Sequence, residues 1–75
     1  MKIKNIPVEQ IKNYENNPRI ISEDAVNVVA ESIKAFGFKV PVILDSDNVI
    51  VAGHTRLQAA QKLGLSEVPC VIADD

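Results

Sequence analysis

A small mixed α/β domain, with two main helices packed on a sheet of about four strands, is what this sequence predicts. Three observations carry the expectation. The chain has 75 residues, room for a single economical core. Two stretches, residues 22–37 and 54–64, place apolar residues at helical spacing and end in glycine. The remaining apolar runs are short and bounded by Pro, Asn, Asp or Gly, as strands are. The resulting order is β, long α, β-hairpin, α, β, with no interior domain boundary.

Ile3, Ile6 and Val8, with Pro7, predict a first strand over roughly residues 2–7 and a single helical turn after it. Residues 13–19, NYENNPR, lack periodicity and read as an ordered loop, since proline also pushes Asn17 out of helical space. Ser22 is a good N-cap, Glu23 and Asp24 suit the positive helix end, and Ile21 can staple onto Val26. Ala25, Val26, Val29, Ala30, Ile33 and Phe36 share the face expected to be buried. Asn27, Glu31 and Lys34 share the opposite one, Val28 falls off the stripe, and Gly37 is the stop. Pro41 to Asp45 reads as a second strand, and Ser46, Asp47 and Asn48 as the turn returning the chain into Val49–Ala52, a short buried strand. After the second helix, Val68–Ile72 is the last strand, which Pro69 should place at a sheet edge or make start late. Ile33 and Leu63 are expected to face the sheet.

Composition limits function. A 47% hydrophobic and 24% charged chain is globular rather than disordered. One cysteine, Cys70, and one histidine, His54, exclude an internal disulfide and a zinc-type cluster. No apolar run is long enough for a membrane span and no signal peptide opens the chain, so the cytoplasm is the expected compartment. A net charge of −2 argues against a protein that mainly grips duplex DNA. Asp45, Asp47, Asp74 and Asp75 lie in a turn and a terminus, where solvated carboxylates are the norm, and are not assigned to metal.

The chemistry-bearing stretch is Val49 to Gly64, VIVAGHTRLQAAQKLG: strand, glycine turn, helix. The first helical turn after such a junction has unbonded NH groups and the positive end of the helix dipole, which suit an anion. Arg56 lies in that turn, inside the broad apolar arc of Leu57, Ala59, Ala60 and Leu63. Two readings of it stay open: a phosphate contact, and a structural salt bridge or snorkelling stem. His54 could touch a phosphate, and its bland reading is an exposed residue at the helix start.

Four stretches resemble the N-terminal domain of the ParB family: IPVEQIKNYENNPR, ESIKAFGFKVPVIL, VIVAGHTRLQAA and LGLSEVPCVIADD. The version fused to phage and mobile-element DNA methyltransferases is the nearest likeness. Gly53-His54-Thr55-Arg56 is similar to the family's Gly-Glu-Arg-Arg phosphate motif, and Asn17-Pro18-Arg19 resembles its other nucleotide-side motif. The resemblance implies a phosphate-binding set of Gly53, His54, Thr55 and Arg56, with Asn17, Pro18 and Arg19 approaching the same nucleotide. It also implies CTP with Mg2+, a homodimer, and a regulatory or targeting role in DNA partition or modification. DNA would be reached only indirectly, through another domain or partner.

The departures are that His54 and Thr55 stand where the partition proteins have an acid and an arginine, and that the later Glu-Asn-x-x-Arg helix and the helix-turn-helix are absent. The ending at Asp75 reads as that of a fragment, and no catalysis is expected of it alone. The alternatives are an interaction domain with a decayed phosphate site and a ParB-like nuclease or phosphotransferase. The same fold resembles sulfiredoxin, whose Gly-Cys-His-Arg motif has its catalytic cysteine where His54 stands. Cys70, in an expected buried strand, is no substitute for it.

Overall fold

The computed structural model describes residues 2–13 and 22–73. β1 (Ile3–Pro7) runs into a 3-10 turn, Val8–Gln10, and α1 spans Glu23–Phe36. β2 (Val42–Leu44), β3 (Ile50–Ala52), α2 (His54–Lys62) and β4 (Glu67–Ile72) follow. The expected small α/β domain with a mixed four-stranded sheet and two helices is what forms. The loop expected at Asn17, Pro18 and Arg19 and the staple from Ile21 lie outside the described residues.

The sheet order is β1-β4-β2-β3, with β4 antiparallel to β1 and parallel to β2, and β2 antiparallel to β3. Pro69 therefore sits in an interior strand that begins early, at Glu67, which corrects the expectation of an edge or late strand. Hydrogen-bond parity explains how proline is tolerated there. Val8 N–H donates to the Ser66 carbonyl at 3.0 Å, so in the β1–β4 register Ile6↔Val68 and Lys4↔Cys70 are the bonded pairs. Pro7 and Pro69 fall in the alternate, non-bonded positions, where neither is asked for a donor by the other strand. On the far side of β4, Ala73 N–H donates to the Leu44 carbonyl at 2.7 Å. Pro69 belongs to the same set, but the β2 ladder begins only at Val42↔Cys70, after it.

The β2–β3 hairpin turns where expected. Asp45 Oδ1 accepts the amides of Asp47 at 2.8 Å and Val49 at 3.0 Å, and Asn48 takes the positive φ of 64° that asparagine tolerates. Val51 is 56% exposed, so this strand is buried on one face only, contrary to the continuous burial read from its apolar run. Its neighbour Ile50 takes the core side.

α1 starts as its cap predicts, with Ser22 Oγ accepting the Ala25 amide at 3.1 Å, and stops at Gly37, whose N–H donates to the Ile33 carbonyl. Its packing differs from expectation. The main core, Val42, Leu44, Ile50, Leu57, Ala60, Val68 and Cys70 with Ile11, contains no α1 residue. Val26 and Ala30 of α1 instead meet Ala59 of α2 in a second cluster, with Val29, Ile33 and Leu63 against it. Ile33 and Leu63 thus join helix to helix rather than facing the sheet. Phe36, assigned to the buried face, is 72% exposed, because the packing between the helices reaches along α1 only as far as Ile33. Ala25 is exposed as well, and Val28 is exposed as expected.

Candidate functional site

α2 begins at a backbone position that demands glycine. Gly53 has φ 98° and ψ 24°, the left-handed region, and a Cβ there would come within 3.2 Å of Val42 Cα. The chain can therefore pass from β3 into α2 through this single residue while lying tight against β2. The same geometry leaves the helix start without a side-chain cap, and no acidic residue stands in its first turn. The amides of Thr55 and Arg56 have no acceptor within the helix, as for any first turn. α1 is the internal contrast, since it satisfies its start with Ser22 and balances its dipole with Glu23 and Asp24.

The four residues Gly53, His54, Thr55 and Arg56 line one wall of a cleft of about 460 Å3, and Ala25 and Val29 of α1 line the facing wall. Arg56 and Val29 also border an adjoining groove of about 300 Å3 between α1 and residues 37–40, with Val28, Ile33, Phe38 and Val40 among its apolar lining. The cleft and groove thus meet at Arg56. That side chain is half-buried, as its place in the apolar arc required. Among the described residues, the ion pair is Lys62 to Glu23 at 3.5 Å, reinforced by a Lys62 to Asn27 hydrogen bond. Arg56 has no such carboxylate partner there, which removes the salt-bridge reading within the described part of the chain.

Among the described residues, neither cavity has a carboxylate in its lining. The arrangement offers helix amides, a hydroxyl, an imidazole and a guanidinium at one end and an apolar trough at the other. It suits an anionic group attached to a flatter, less polar body. It does not suit a protein-held divalent cation, and no group of three His, Cys, Asp or Glu that could hold a metal occurs among the described residues. Asp45, the nearest acid to the hairpin, spends its carboxylate on turn amides. Asn17, Pro18 and Arg19 lie outside the described residues, as do Asp74 and Asp75. No helix among the described residues is long and apolar enough to cross a membrane.

Cys70 is fully buried, its Sγ–H donates to the Val68 carbonyl at 3.4 Å, and burial pushes its thiol pKa up. It is a core residue without access to substrate. What sequence reasoning missed was the groove: Val28, set aside as a stray exposed valine, lines it. Its signal was the off-stripe apolar position itself, which acquires meaning only once residues 37–40 fold back beside it.

A family model described as the ParB N-terminal domain matches residues 1–75. The Escherichia coli "ParB-like nuclease domain-containing protein YnaK" is 38% identical over 72 residues, covering 96% of this chain and 83% of that protein. The Myxococcus xanthus chromosome-partitioning protein ParB is 36% identical over 73 residues, which is 92% of this chain but 25% of the longer relative. Among solved structures, Arabidopsis thaliana sulfiredoxin superposes with a TM-score of 0.89 at 28% identity, covering 100% of this chain and 88% of that one. C-terminally truncated Caulobacter crescentus ParB complexed with CTP-gamma-S gives 0.84 at 26%, over 100% and 46%. A free serine kinase in complex with AMP gives 0.78 at 26%, over 95% and 30%.

Proposed function

Because this chain belongs to the ParB N-terminal domain family, we propose that it is a nucleotide-binding regulatory or targeting module for a DNA-directed activity carried outside these residues. The observation that carries the proposal is the start of α2: uncapped, free of acids, and set beside a half-buried Arg56 with no carboxylate partner among the described residues. A phosphate chain on the amides of residues 53–56 relieves the cost of a cation at the positive helix end, roughly 0.3–1 kcal/mol. The groove beyond Arg56 then receives the nucleoside.

CTP is the nucleotide we favour, on the likeness to a ParB solved with CTP-gamma-S. The AMP-bound kinase, sharing the fold, keeps adenine nucleotides in the comparison. Arg19, with Asn17 and Pro18, is proposed as a second approach to the phosphates from the preceding loop. Mg2+ would be carried by the phosphates rather than by this cleft, whose described residues supply no carboxylate for it. Homodimerisation, a cytoplasmic setting and attachment to a phage or mobile-element DNA methyltransferase complete the proposal, all on family likeness alone.

The test is titration of the 15N-labelled domain with CTP, ATP and GTP in magnesium, repeated with Arg56→Ala. Charge-assisted hydrogen bonds of roughly 1.5–3 kcal/mol each, less the cost of association, give weak binding. Amide shifts should cluster at residues 53–57, with dissociation constants on the order of high micromolar to millimolar and no hydrolysis. Arg56→Ala should abolish them and leave the spectrum folded. Unmoved amides at millimolar nucleotide would refute the phosphate reading and favour an interaction domain, whereas turnover would favour an enzyme.

A further inference from the structure

We infer that α1 opens as a unit of its own, and that a ligand in the cleft holds it closed. The second half rests on the nucleotide reading; the first does not. The ground is the division of the apolar interior into two clusters. The sheet and α2 form the larger one, without α1. α1 is attached through Val26 and Ala30 against Ala59, with only partly buried Val29, Ile33 and Leu63 around them. Two alanines bury little apolar area, so this contact is the weaker of the two.

The polar attachment adds little. Lys62, Glu23 and Asn27 are all exposed, and such pairs contribute little in water. All of α1's regular hydrogen bonds run within the helix, so its departure breaks no sheet ladder. Regions with few buried apolar contacts open locally below the free energy of global unfolding. α1 also forms one wall of both cavities, through Ala25, Val28, Val29 and Ile33, while residues 37–40 and 51–56 form the other. A ligand spanning the walls binds the docked helix and not the open one, so binding and docking are linked.

Amide hydrogen exchange on the whole chain tests this. Without ligand, amides of residues 27–36 should exchange together, about tenfold or more faster than those of Val68 and Cys70. Val26 is buried under α1 but does not line the cleft. Val26→Ala should therefore speed α1 exchange roughly tenfold further, leave β4 unchanged, and weaken nucleotide binding several-fold. CTP should slow α1 in proportion to occupancy. A single common opening of α1 and β4 would overturn the inference. So would CTP that shifts residues 53–56 while α1 exchanges as before. If CTP moves no amide at all, the binding reading fails and the linkage with it, whereas exchange in the free chain still decides whether α1 opens alone.

Discussion

Gly53 shows how one residue can answer two demands at once. Its left-handed backbone would strain any other residue, and Val42 Cα leaves a Cβ only 3.2 Å of room from the facing strand. Gly53→Ala should cost about 1–3 kcal/mol, read as a lower urea midpoint with unchanged slope. It should also shift the α2 amides. The glycine itself was legible, as a break between an apolar run and helical spacing. Val42 was not, because nothing in a linear pattern says which strand will lie beneath a turn. Arg56 was legible as an inward-leaning cation, and among the described residues Glu23 engages Lys62 rather than Arg56.

At the scale of the element, periodicity located both helices and their glycine stops but not their neighbours. The arc Val26, Ala30 and Ile33 was found from spacing alone. That it meets α2 and not the sheet depends on Ala59 and Ala30 being small enough for the helices to approach, a property of two helices jointly. Ala59 is fully buried between them. Ala59→Leu should force the helices apart at a cost of about 1–3 kcal/mol, seen as a lower melting temperature. The loss of helical signal should fall on α1 before the β4 amides are affected. Phe36 was misassigned because a helical wheel has no ends, while the packing between the helices reaches along α1 only as far as Ile33. Pro69 was misplaced for a related reason: a rule about edge strands took no account of hydrogen-bond parity or of where the adjacent ladder starts.

For the whole molecule, the fold class was legible because element order and length admit few arrangements, whereas strand order was not. The connection from α2 into β4, which inserts the last strand between the first and second, has no local signature. Stability of the whole chain should respond to alkali through Cys70. Burial raises its pKa in the folded state, so between the unfolded and folded values the unfolded chain carries fewer protons and gains from rising pH. Stability is thus unaffected well below an ordinary thiol pKa and falls once pH passes it. Cys70→Ala should lower stability at neutral pH by removing packing, yet flatten that alkaline slope, as urea midpoints from pH 7 to 10.5 would show.

The position of Pro7 bears on assembly fidelity. Sliding β1 by one residue along β4 would turn Ile6 from the core to the outside. It would also bring the Pro7 imino nitrogen to a place where the ladder requires a donor, leaving a β4 carbonyl unanswered, while Pro69 keeps its nitrogen off that ladder. The misaligned sheet is thereby penalised in both its side chains and its main chain, and the first and last strands of the domain carry their own proofreading of the junction that closes it.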